Sequence, residues 1–160
     1  MAPRPFGAGA EPLEKFTVAP AIVRASEALV SLGLCEVRLQ SDARWPWLVL
    51  IPRRPGAREI EHLAPADRAV LIEEATLAGA AVRAMGSALG RPVEKLNLGA
   101  LGNITPQLHM HVVGRRADDA AWPSPVWGVG EAIDYDGVAL ERAREAAISA
   151  LNGAGLRTAS

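Results

Sequence analysis

Seven consecutive residues, Gln107-Leu108-His109-Met110-His111-Val112-Val113, constrain this chain more than any other segment. In an extended backbone successive side chains point to opposite faces. Gln107, His109 and His111 therefore share one face, and Leu108, Met110 and Val112 share the other. Two of the three histidines stand side by side on a strand whose reverse is apolar. A buried polar group without a partner costs about 1–3 kcal/mol. Such a strand needs either a hydrogen-bonding environment or a bound molecule opposite its polar face. We read it as a strand that presents chemistry to a ligand.

The rest of the chain supplies the frame. Leu34–Gln40 alternates and reads as a strand, and Ser41-Asp42-Ala43-Arg44 is turn-like. Trp47–Ile51 reads as a buried strand stopped by Pro52. From Pro65 to Leu89, apolar residues at 71, 75, 78, 82, 85 and 89 step by four and three, the spacing of one helix face. Pro65 suits the first turn, Asp67 suits the positive end of the dipole, and Gly90-Arg91-Pro92 ends the helix. Lys95–Leu101 reads as a strand, joined to the histidine strand by Gly102-Asn103-Ile104-Thr105-Pro106, so the two are expected to be antiparallel neighbours. A helical stripe spans residues 11–33, interrupted at Pro20, and a last helix spans about Val138–Leu151. Residues 1–10 are rich in Pro, Gly and Ala and read as a loose arm.

The predicted class is α+β: a twisted, mainly antiparallel sheet of about five strands carrying one long helix and terminal helices. At 160 residues and 49% apolar content, the chain is expected to form a single domain over residues 1–160. Its core is placed at about 34–116, with an N-terminal helix at 11–33 and a tail and helix at 117–160. A net charge of −1 gives no global field for DNA or an anionic membrane, so neither is expected as a partner. The single cysteine, Cys35, supports no disulfide framework. No apolar leader or spanning stretch is visible, and a cytoplasmic protein is expected.

From spacing alone, three readings of the histidine strand stay open. A neutral imidazole can attack phosphorus if one ring nitrogen is tied, typically to a carbonyl, and the other is free. A second imidazole, the Gln107 amide and the backbone at Gly102 and Asn103 can then act as donors to phosphoryl oxygens. Alternatively, His-x-His can share a metal ion, but zinc requires three or four ligands. His62, Cys35 and scattered carboxylates show no ligand-like spacing, and no metal site is expected. The third reading has both histidines bonded within the protein.

The segment Gly102–Arg116, with Gln107-Leu-His109-Met-His111-Val-Val, resembles the signature of the histidine triad (HIT) superfamily of nucleotide hydrolases and transferases. The likeness continues through Trp47-Leu-Val-Leu-Ile-Pro52, Glu61-His62-Leu63, the long helix and Lys95-Leu-Asn97-Leu-Gly99, and spans about Leu34–Arg116. The stretch Trp122–Gly128 resembles the tail of a bacterial branch of that family.

The resemblance implies that His109 is the nucleophile and that His111 contacts the phosphate and stabilises the transition state or leaving group. It implies substrate contacts for Asn97 and for Asn103 and Gly102 on the turn, and Arg115 is added as a phosphate-binding candidate. Gln107 stands where most relatives have a histidine and Trp47 where many have another. Leu39 replaces a polar ribose contact that Asp42 or Arg44 could take over. The implied substrates are nucleoside phosphoesters, anhydrides or phosphoramidates, dinucleoside polyphosphates first, cleaved through a nucleotidyl-histidine intermediate. No cofactor is obligatory, although a divalent ion can accompany the polyphosphate. A homodimer is implied, with Pro65–Leu89 a candidate for its interface. The alternatives are a nucleotide-binding module without turnover and a metal-binding β protein. Trp122 and Trp127 suit a stack on a base or a wall of the site, or equally an anchor for an irregular segment or a dimer contact.

Overall fold

Alternation in the sequence becomes alternation in burial along β2, Cys35–Gln40, where Cys35, Val37 and Leu39 are buried and the residues between them are not. The computed structural model describes residues 15–155. Its five strands are β1 (Ser26–Ser31), β2, β3 (Trp47–Pro52), β4 (Lys95–Gly99) and β5 (Met110–Arg115). They form one sheet in the order β1-β2-β3-β5-β4, with every neighbouring pair antiparallel. Three helices complete the fold: α1 (Pro20–Arg24), α2 (Pro65–Ala88) and α3 (Gly137–Gly155). The α+β architecture is the expected one, and β4 and β5 are the antiparallel neighbours that their short polar connection implies.

Each sheet face has its own core. On one, Val37, Leu39, Leu48, Leu50, Met110 and Val112 pack with Leu71, Ala75, Ala78, Val82 and Met85 of α2, and Ala143, Ala147 and Leu151 of α3 join them. The helix stripe read from the sequence is therefore the buried face of α2. Glu74 lies within that face, and its two carboxylate oxygens accept the backbone N–H groups of Leu34 and Cys35 at 2.7 and 2.8 Å. This ties the helix to the β1–β2 turn. Beside that carboxylate, burial drives the Cys35 thiol pKa upward, so Cys35 is a small buried hydrophobe with no activated thiolate.

The opposite face carries Trp47, Val49, Ile51 and Val113. It is covered by Ile22 and residues 16–19 from the N-terminal side, and by Ala121, Val126, Trp127 and Val129 from the segment after β5. This second face holds the histidines.

Several boundaries differ from the sequence reading. The expected helix over 11–33 is a five-residue helix followed by an edge strand; residues 11–14 lie outside the described range, as do the arm at 1–10 and the last five residues. The register explains the misreading. Ala28 pairs with Arg38 and Val30 with Val37, so Leu29 is an extra residue in a bulge. A bulge breaks period two, and Ala25, Leu29 and Leu32 then mimic helical spacing.

The β4 strand stops at Gly99 rather than Leu101, and the histidine strand enters its ladder at Met110 rather than Gln107. At the other ends the differences are small. α2 ends one residue early, β3 includes Pro52, and α3 is longer than expected at both ends.

Candidate active site

Cross-strand register sets out the site row by row. Val49 pairs with His111 and with Arg38, and Gly99 pairs with His111, so Arg38, Val49, His111 and Gly99 form one row across the sheet. Trp47, Val113 and Asn97 form the next. His109 precedes the ladder of β5 but keeps the alternation: Leu108 and Met110 enter the helix-side core, while the rings of His109 and His111 lie 4.8 Å apart on the other side.

Each ring is held by a different kind of group. His109 Nδ1 lies 2.7 Å from the backbone carbonyl oxygen of Gln107. A carbonyl only accepts, so Nδ1 carries the proton and Nε2 keeps a free lone pair. His109 is 8% exposed, which removes competing water from most of the ring. His111 Nδ1 lies 3.0 Å from the indole Nε1 of Trp47, which donates to it. Burial and the neighbouring His109 lower the His111 pKa from 6.5 to about 4, so the ring is neutral at neutral pH.

An aromatic wall surrounds His111. Trp47 and Trp127 meet its ring edge-on at centroid distances of 5.4 and 5.5 Å, and they meet each other at 6.1 Å. Trp127 is part of this wall and also packs the segment after β5 onto the core. Its Nε1 is buried without a hydrogen-bond partner among the described residues, as is that of Trp45. Trp122 stands apart, exposed, with the Arg115 guanidinium 5.6 Å from its ring.

Two residues expected at the substrate, Gln107 and Arg115, have their side chains bonded within the protein. The Gln107 amide is bonded to the N-terminal segment: its oxygen accepts the N–H of Ala19 and its nitrogen donates to the carbonyl of Thr17, each at 2.8 Å. What Gln107 gives to His109 is its backbone. Arg115 is 1% exposed, and its guanidinium is bonded to both oxygens of Asp119 at 2.7 and 3.0 Å, to Asn97 Oδ1 at 2.7 Å and to the carbonyl of Ser124 at 2.9 Å. It anchors the segment after β5 and has no open side for a phosphate. Asn97 thereby has its oxygen occupied.

Asn103 is exposed on the turn, and Gly102 adopts a φ of 63° there, a conformation that suits a residue without a Cβ. Leu39 points into the helix-side core, so it faces away from the histidines. Its suggested substitutes are paired with one another, Arg44 donating to Asp42 at 2.7–3.2 Å. The polar residues of β2 on the histidine side are Glu36, Arg38 and Gln40. Period-two counting from the histidine strand could have found them.

The third histidine, His62, accepts the N–H groups of Arg58 and Glu59 through Nδ1 and is structural. Among the described residues no cluster of three His, Cys, Asp or Glu side chains is placed to hold a metal ion. A cleft of about 430 Å³ at the Arg116 end of β5 is lined by Arg44, Arg91, Arg116, Asp118 and Asp119 and by no histidine.

Known proteins resemble this chain in sequence and fold. The HIT domain matches residues 23–118. The structure is similar to a histidine triad (HIT) protein from Sinorhizobium meliloti 1021, with 40% identity and a TM-score of 0.77 over 85% of this chain and 97% of that one. A histidine triad protein from Bradyrhizobium japonicum shows 35% identity and a TM-score of 0.78 over 86% and 98% of the two chains. Another from Marinobacter aquaeolei VT8 shows 32% and 0.78 over 87% and 98%. No match was found among curated proteins.

Proposed function

This chain belongs to the HIT-domain family, and from that membership we propose that it is a nucleotide hydrolase with His109 as its nucleophile. One observation carries the reading: the Gln107 carbonyl holds the proton on His109 Nδ1 and leaves Nε2 as a lone pair on a fixed, largely buried ring.

In the proposed reaction, Nε2 of His109 attacks the α-phosphorus of a nucleoside phosphoester, anhydride or phosphoramidate. A P–N bond forms as the bond to the leaving group breaks, and the leaving group departs with that electron pair. Its proton, where it needs one, comes from solvent. Water then attacks the nucleotidyl-histidine, a P–O bond forms, the P–N pair returns to Nε2 and a proton passes to solvent. A nucleoside monophosphate is released. His111 lies against the phosphoryl group and stabilises the charge that develops there. Dinucleoside polyphosphates are the first substrate class in this reading. No resident metal is required, and a divalent ion would enter with the polyphosphate.

We further propose a homodimer. Apolar side chains left exposed on α2, Val70 and Ile72, and at the β4 edge, Leu98, support it. Light scattering on the purified chain reads the mass directly.

The test of the activity is AMP release from diadenosine tetraphosphate and from an adenosine phosphoramidate by the wild type and by His109→Ala. Release by the wild type that disappears in a folded variant supports the assignment. Release that survives His109→Ala rejects it. Saturable AMP binding without product points instead to a binding module.

A further inference from the structure

We propose that Trp47 is a positioning residue that fixes His111 in the neutral tautomer with its proton on Nε2, so that His111 meets the substrate as a hydrogen-bond donor while His109 meets it with a lone pair. The substrate half of this proposal rests on the hydrolase reading; the tautomer does not.

The indole N–H has no lone pair to offer and can only donate. At 3.0 Å from His111 Nδ1 it requires a lone pair on that nitrogen, which sends the ring proton to Nε2. The partner of His109 imposes the opposite rule, because the Gln107 carbonyl can only accept. Two rings 4.8 Å apart are thus given complementary outer nitrogens by two different neighbours. Reversing the His111 tautomer would put a lone pair on its outer nitrogen, which would repel a phosphoryl oxygen rather than donate to it. With the tautomer fixed, His111 donates to that oxygen and stays neutral throughout; no proton has to leave it.

Trp47 is well placed to impose this constraint. It opens β3 opposite Val113, is 6% exposed, and is wedged edge-on between Trp45 at 6.4 Å and Trp127 at 6.1 Å. An indole so packed cannot swing aside to accommodate the other tautomer. An imidazolium at His111 would point its Nδ1–H at the indole N–H, so the same contact opposes protonation. Among the described residues the titratable group facing His111 is His109, and β3, β4 and the segment after β5 present Trp47, Val49, Gly99 and Trp127 to it.

The experiment uses the full chain labelled with nitrogen-15. Long-range proton–nitrogen spectra at neutral pH report which nitrogen of each histidine is protonated, and His111→Asn assigns the His111 signals. The expected wild-type pattern is a protonated Nε2 and a bare Nδ1 at His111, with the reverse at His109. Trp47→Phe keeps an aromatic wall but removes the N–H. It should give a mixed His111 tautomer, a His111 titration midpoint raised by roughly one unit and a kcat lowered roughly tenfold at unchanged KM.

A protonated Nδ1 at His111 in the wild type overturns the proposal, and this result does not depend on whether the variant folds. So does a folded Trp47→Phe protein whose His111 tautomer is unchanged. The spectra read the tautomer whether or not any nucleotide is cleaved. A protein inactive on every nucleotide tested, yet showing the expected pattern, loses the hydrolase reading and keeps this one.

Discussion

The side-chain oxygen of Gln107 accepts the backbone N–H of Ala19 at 2.8 Å, across 88 positions of sequence. Together with the bond from its amide nitrogen to Thr17, this pins residues 17–19 over the histidine face. The side chain at the first motif position thus holds the N-terminal segment. Gln107→Ala should lose about 1–2 kcal/mol of stability, with faster hydrogen exchange at Ala19. Because His109 is held by the backbone of residue 107, kcat should stay near the wild-type value. A kcat that collapsed in a folded Gln107→Ala protein would show that the amide serves the chemistry after all.

Arg115 and Asp119 form a buried pair, with side-chain exposures of 1% and 7%. Burial alone would raise the Asp119 pKa. The bonds from Arg115 and from the backbone N–H groups of Ala121 and Arg116 outweigh burial and bring it from 3.8 down to about 2. A carboxyl depressed in the folded state contributes stability that is present above the unfolded pKa and lost as pH falls towards the folded one. Roughly 2 kcal/mol should therefore disappear between about pH 4 and pH 2. Asp119→Asn should remove that part of the acid titration when denaturation midpoints are compared across the range. Arg115→Met, which leaves the carboxylate buried and unpaired, should cost about 3–5 kcal/mol at neutral pH.

His111 gives a second acid-dependent effect at higher pH. Its pKa falls from 6.5 in the unfolded chain to about 4 in the folded one. The unfolded state thus binds its proton first, and stability declines as pH drops from about 6.5 towards 4. The full loss is about 3 kcal/mol. His111→Asn should flatten this segment of the curve while leaving the Asp119 step below it intact. Chemical denaturation at half-unit intervals separates the two.

The residues that were legible in the sequence are those whose partners are local or periodic. Cys35, Val37 and Leu39 obey period two, and Leu71, Ala75, Ala78, Val82 and Met85 obey the helical repeat; both sets are buried where their period places them. His109 and His111 share a face for the same reason. The bulge at Leu29 hid β1, because one inserted residue destroys the only periodic signal that an edge strand carries.

The roles of Gln107, Arg115 and Asp42 were hidden differently. Each is decided by a hydrogen-bond partner, and the partners of Gln107 come from a distant segment. An arginine after a strand reads the same in sequence whether it meets a phosphate or Asp119. Trp47 showed in the sequence as a departure from the expected histidine, but its N–H bond to His111 exists only once β3 and β5 are paired.

Gly99 separates the demands of the site from those of the core. It faces His111 across the β4–β5 ladder, and a Cβ there would lie 3.3 Å from the Trp127 ring and 3.2 Å from a Leu101 methyl. Shifts of a few tenths of an ångström would accommodate it, so Gly99→Ala should cost only about 1 kcal/mol. The shift falls on the indole that walls His111, however, so kcat/KM should drop and tryptophan fluorescence should change. Gly114 lies one face away, and a Cβ there would sit 2.6 Å from Val93 and 2.9 Å from Val82. Gly114→Ala should therefore destabilise by about 1–3 kcal/mol, and the fraction that remains folded should turn over at the wild-type rate. Measuring stability and kcat/KM for both variants decides the matter. If Gly99→Ala loses stability but no activity, the Trp127 wall packs the face without serving the histidines.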